Sequence, residues 1–157
     1  MKTFSLLVLA CLLALPATAA PVELSFSEFF SQPIGPRGLE PTAKLMAANG
    51  REVRLVGYMV QREQPLTGRF LLTPRPVAMV EHADGEADDL PASAVTVLLP
   101  ESRRTHVVVH QSGPLALTGR LEYGPAEDES GRVSWIRLHL TPAALADQAS
   151  VAAPQPH

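Results

Sequence analysis

The sequence predicts an all-β domain with short helices, folded as a small barrel of five or six strands, and three observations carry that prediction. Short runs rich in Val, Leu, Ile and Tyr recur between Arg51 and Leu140, each bounded by prolines, glycines or acidic turns. Leu115, Leu117, Gly119, Leu121 and Tyr123 alternate with Ala116, Thr118, Arg120 and Glu122, the period of a strand with one buried and one wet face. Val53-x-Leu55-x-Gly57 echoes Leu115-x-Leu117-x-Gly119, and a glycine inside a strand marks a bulge or the bend at which a small barrel turns its corner. That strand count and those bends fit an oligonucleotide/oligosaccharide-binding (OB) type of barrel.

The elements follow in order. Leu24 to Phe30 has the spacing of either a short helix capped by Ser25 or Ser27 or an edge strand. Three prolines and two glycines make Gln32 to Pro41 a loop. Thr42 to Ala48 is helical in composition, and Asn49-Gly50 supplies a left-handed stop. Strands are expected at Glu52 to Gln61, Gly68 to Thr73 and Val77 to Glu81, then, after an acidic loop from Ala83 to Ala92, at Ala94 to Leu99 and Thr105 to His110. The last two are separate strands or one strand interrupted by a bend. Leu115 to Tyr123 and Arg132 to Leu140 form a hairpin across the loop Gly124 to Gly131, with Ile136, Leu138 and Leu140 on one face and Trp135, Arg137 and His139 on the other. A short Ala-rich helical stretch follows Thr141, and residues 147–157 read as a disordered tail.

Ahead of the domain, Lys2, the apolar stretch Phe4 to Leu15, Pro16 and Ala17-Thr18-Ala19-Ala20 have the three parts of a secretory signal, with cleavage expected after Ala19. A retained membrane anchor would need a longer apolar run, and the proline breaks the helix. A lipoprotein reading rests on Val8-Leu9-Ala10-Cys11, but it would strand Leu12 to Leu15 beyond the lipidated cysteine. The expected organisation is therefore a signal peptide over 1–19, a helical and loop segment over 20–49, the barrel over 50–146 and the tail. The expected location is the periplasm, with no membrane insertion after cleavage.

Processing removes Cys11, the chain's one cysteine, so the mature domain has no disulfide and no thiol chemistry. It also removes Lys2 from the 13 Lys+Arg, leaving 12 against 16 Asp+Glu with no basic block. Nucleic acid and anionic membranes are poor partners for such a chain.

Gly50-Arg51-Glu52-Val53-Arg54-Leu55-Val56-Gly57-Tyr58-Met59, followed by Phe70-Leu71-Leu72-Thr73-Pro74, resembles a family of uncharacterised bacterial exported proteins and lipoproteins found near export systems. Its pattern is Gly-x-x-Val-x-Leu-x-Gly-Tyr-Met, a Phe-Leu-Leu strand and a loop. The resemblance covers Gly50 to Val97 and implies an OB-like fold. The family's loop carries a cysteine, a histidine and a proline run; in Ala78 to Pro91 only His82 corresponds and the cysteine is absent, so no thiol or cysteine–metal role carries over.

Among candidate sites, Glu81, His82, Asp84, Glu86, Asp88 and Asp89 are the densest set of potential cation ligands, but they lack the spacing of a calcium loop and offer one imidazole. A solvated acidic loop is the plainer reading. His106 and His110, placed on a strand, stand roughly 13 Å apart at its rise per residue, too far for one ion. There is no nucleophile elbow, no phosphate-cradling glycine loop and no buried carboxylate pair, so no catalytic, cofactor or metal residue is assigned and the chain is read as a non-enzyme. The outward face of the last strand, Trp135, Arg137 and His139, is the candidate partner-binding surface; its rival is a Trp135 packed beneath the C-terminal helical stretch. The functional expectation is an exported binding or adaptor module meeting an envelope protein partner, in association with an envelope transport system. The alternative is a small-molecule or metal-binding periplasmic protein.

Overall fold

The computed structural model describes residues 19–79, 81–82, 85–86 and 90–144. The segment expected as a signal peptide, through Thr18, and the end of the Ala-rich stretch with the expected tail lie outside them, as do the side chains of the acidic loop from Glu81 to Asp89.

The strands are β1 (Val22–Leu24), β2 (Glu52–Met59), β3 (Gln61–Arg62), β4 (Arg69–Thr73), β5 (Ala78–Met79), β6 (Glu81–His82), β7 (Gly85–Glu86), β8 (Val95–Leu98), β9 (Pro114–Glu127) and β10 (Val133–Leu140), with a helix α1 (Ala43–Ala48) ahead of β2. Six of them form one sheet in the order β1-β2-β4-β8-β10-β9, and β9 pairs back onto β2. The hydrogen bonding therefore runs around a ring, and the chain is the small all-β barrel with short helices that the sequence predicts. Only β8 and β10 are parallel neighbours within the ring, at Arg137↔Thr96 to His139↔Leu98.

The glycines of the echo stand where strands change partner. β9 pairs with β10 from Gly119 onward and with β2 from Pro114 to Arg120, so Gly119 lies at the handover. A Cβ there would come within 2.6 Å of the His139 carbonyl oxygen. At Gly57, where β2 passes from β9 to β4, a Cβ would meet Phe26 at 2.7 Å and Leu72 and the Thr73 carbonyl oxygen at 2.9 Å. Neither glycine has a positive φ, so close approach of neighbouring atoms is what excludes a side chain.

The segment before the barrel belongs to its core. Leu24, Phe26, Phe29 and Leu45 join Val53, Leu55, Leu72, Val95, Val97, Leu117, Leu121, Ile136 and Leu138 in one buried cluster. Both readings of Leu24 to Phe30 are realised in part: β1 lies parallel to β2, and a 3-10 turn at Phe26–Glu28 follows with a capping box between Ser25 and Glu28. Thr42 caps α1 by accepting from the Leu45 amide, and Gly50, at φ 77°, turns the chain into β2.

Three expectations need correction. Thr105 to His110 is not a strand: it holds one isolated bridge, Thr67↔Val107, and amide bonds to the 66–68 segment. Val107 and Val109 point into solvent, and without a neighbour to pack against β-branched composition does not make a strand. Val77 to Glu81 divides, β5 pairing with β3 and β6 with β7. The loop expected from Gly124 is shorter, because β9 continues to Glu127 against Val133 and the reversal is left to the residues from Asp128 to Arg132.

Candidate functional site

Alternation along β4 and β8 sends Phe70, Leu72, Val95 and Val97 into the barrel and Arg69, Leu71, Thr96 and Leu98 to its outer face. Over that outer face lies a trough. One part is a cavity of about 410 Å³ walled by Arg62 at the end of β3 and Leu66 after it, and by Asp128, Ser130 and Arg132 from the β9–β10 turn. A second cavity of about 590 Å³ shares Leu71, Thr96, Arg132 and Ser134 with the first and continues to Leu90 and Trp135. Leu71, itself buried with Val60 and Met79, is the apolar floor common to both.

The turn that walls the first cavity is held by one carboxylate. Asp128 Oδ1 accepts from the Ser130 amide at 2.8 Å, the Ser130 hydroxyl at 2.5 Å and the Arg132 amide at 3.1 Å, while Oδ2 accepts from Arg69 on β4. The Ser130 hydroxyl is the leading reason that the Asp128 carboxyl is held well below its usual range, with the two amides and Arg69 adding to it. The pairing joins the hairpin turn to the start of β4.

The three residues expected on the outward face of β10 have three different fates. Trp135 is 54% exposed, at the mouth of the second cavity. Arg137 is only 6% exposed. Its guanidinium donates to the carbonyl oxygens of Gly124 (2.9 Å) and Ser134 (2.7 Å) and to Glu122 Oε2 (3.3 Å). His139 Nε2 is 2.6 Å from the same Glu122 oxygen. Hydrogen bonds from Arg137 first, then His139, pull the Glu122 carboxyl down to about 2. An irregularity in the ladder between Ser134 and Ile136 separates Trp135 from the other two. The face expected to be one binding surface is thus an exposed aromatic beside a partly exposed polar cluster built on the buried Arg137.

His106 and His110 are exposed on an irregular segment rather than a strand or helix. What single-sequence reading passed over is the trough itself. Arg62, Arg69, Leu71, Thr96 and Asp128 come from four separate stretches of chain, and the one local signal was the Asp128-x-Ser130-Gly131 turn.

No family model and no curated protein matches the chain. Among solved structures it is similar to the crystal structure of a DUF3299 family protein from Pseudomonas aeruginosa PAO1, with 17% sequence identity, coverage of 78% of this chain and 94% of that chain, and a TM-score of 0.46.

Proposed function

We propose that this chain is an exported, non-enzymatic binding module that works in the bacterial envelope and engages its partner through the trough on β4, β8 and β10. The observation that carries the reading is the position of the trough. Counted along the chain, the ring strands β2, β4, β8, β9 and β10 are bonded in the order 1-2-3-5-4, with the third and fifth parallel. That order supports an OB-like barrel, whose binding surface is the face of strands 2 and 3 between the loops joining strands 1 to 2 and 4 to 5. Here those are β4 and β8, the segment carrying Arg62 and Leu66, and the Asp128 turn. Export is supported by the charged start, apolar stretch and Ala-rich site within residues 1–20. The motif from Gly50 to Met59 supports kinship with exported proteins found near export systems.

A photo-crosslinking residue placed at Trp135, in protein expressed with its leader, tests the reading. The expected result is a discrete adduct in the periplasmic fraction that is missing when the same residue is placed at Val56, exposed on β2. Equal labelling from both positions, or mature protein that does not begin at Ala20, contradicts it.

A small-molecule reading is favoured by one observation. Each of the two cavities has a volume within the range of ligand pockets, roughly 300–1,000 Å³. In that case the crosslinked species is a low-mass adduct.

A further inference from the structure

Leu71, Thr96 and Arg137 stand in one cross-strand row on the outer face of β4, β8 and β10, which puts Arg137 in the wall of the first cavity. Its side chain is only 8% exposed. Nε donates to Glu122, and Nη1 donates to the Gly124 and Ser134 carbonyls and meets the Ser134 hydroxyl, but Nη2 has no acceptor among the described residues. No buried side-chain nitrogen or oxygen of the described residues lacks a partner, so Nη2 is not sealed in, and the open space that Arg137 borders is the cavity. A nearly buried guanidinium thus offers two N–H donors to whatever enters. The arginines that line this cavity all have partners, Glu122 serving Arg137, so the group still wanted is an acceptor oxygen and not a counter-charge.

A strand edge lies open beside that donor. β8 and β10 are neighbours from Thr96↔Arg137 onward; ahead of that row the second cavity lies between Ala92 and Ala94 on one side and Val133, Ser134 and Trp135 on the other. Val133 and Ser134 pair with β9 alone, and Trp135 has no register partner. On the side of β8 the backbone of this stretch is free to extend the sheet. Leu71 below and Trp135 at the lip supply apolar surface.

We propose that the trough binds an extended, uncharged peptide segment of a protein partner. Its backbone adds to the open edge of Val133 to Trp135, one of its carbonyls accepts from Arg137 Nη2, and an apolar side chain lies over Leu71 against Trp135. A peptide supplies N–H and C=O groups in alternation, which an acyl chain or a sugar does not, and every second side chain faces the apolar floor. The proposal deepens the partner-binding reading and rests on the trough being the binding face.

Trp135 is the only tryptophan, so its emission reports on occupancy. The probe is a mixture of capped, neutral hexapeptides with Leu, Ile, Val or Phe alternating with Ser or Thr, titrated into the full chain with calorimetry as a second readout. Saturable binding is expected, and hydrogen exchange at one or more of the Val133, Ser134 and Trp135 amides should slow roughly tenfold in the complex. Of two N-methylated versions, one for each edge of the peptide strand, at least one is expected to bind roughly tenfold more weakly. A version ending in a free carboxylate should bind no more tightly than the capped one. Arg137→Lys keeps the charge without Nη2 and is expected to lose about tenfold in affinity; where that variant does not fold, exchange and N-methylation in the wild-type protein still decide. No binding, unchanged exchange, or equal binding of both N-methylated versions overturns the peptide assignment, and a tenfold gain from the free carboxylate overturns the uncharged one. The crosslink from Trp135 uses no peptide and decides the binding face separately.

Discussion

The two halves of β10 differ in what surrounds them. From Arg137 to His139 the strand is bonded to β8 on one side and β9 on the other, and Ile136, Leu138 and Leu140 are buried. At Val133 and Ser134 only β9 pairs with it among the described strands, and Val133 and Trp135 face solvent beside the second cavity. One half closes the barrel; the other is the lip of the trough. Under the proposed function, stability and binding are separated along a single strand, with the irregularity between Ser134 and Ile136 as the boundary.

This contrast can be broken most sharply in the closed half. Leu138→Ala removes a fully buried side chain from the centre of the core and is expected to destabilise by about 2–5 kcal/mol in chemical denaturation. A loss below roughly 1 kcal/mol would mean that the closed half does not carry the fold.

Gly57→Val is the next largest. The added side chain meets Phe26, Leu72 and the Thr73 carbonyl, so a cost of about 1–3 kcal/mol is expected, and Gly57→Ala should lie between it and the wild type. Full tolerance of valine, read from the same denaturation curves, would show that β2 is not closely packed at its handover.

Acid probes the boundary. Glu122 and Asp128 both have folded-state values depressed below their unfolded ones, so their contribution is complete above the ordinary carboxylate range and is lost as pH falls. For Glu122 the loss is expected between about 4.5 and about 2. Stability measured across that window should fall less steeply in Glu122→Gln than in the wild type, and identical slopes would remove Glu122 from the cluster.

The smallest stability effect is expected in the open half. Trp135→Ala should change the unfolding free energy by no more than about 0.5 kcal/mol, because an exposed side chain loses little packing. Its effect on binding should be larger, about 1–3 kcal/mol in the affinity of whatever occupies the trough, as for a truncated interface anchor. A variant that unfolds at room temperature would make Trp135 part of the core and erase the contrast.

Local pattern was sufficient for the strands whose alternation has a buried face to enforce it. β2, β4, β8 and the β9–β10 hairpin fall close to their expected spans, α1 follows the helical composition of Thr42 to Ala48 and ends at Asn49-Gly50, and the two strand glycines mark where strands change partner. Thr105 to His110 misled because β-branched composition describes a preference for packing, and among the described residues the segment makes one isolated bridge, Thr67↔Val107, rather than a ladder.

The amino-acid order by itself determined the class of fold and the inward set Ile136, Leu138 and Leu140, since alternation within a strand separates a buried face from a wet one; it left Trp135 either exposed or packed beneath the C-terminal stretch. Only the tertiary structure decided the rest. Arg137 is buried because carbonyls of Gly124 and Ser134, brought close by the hairpin and its irregularity, replace the water it would otherwise keep. The trough exists because ring closure carries Arg62, Arg69, Leu71, Thr96 and Asp128 to one face from positions far apart in the chain. Periodicity reports which way a side chain points; it carries no information about which distant side chain it will meet there.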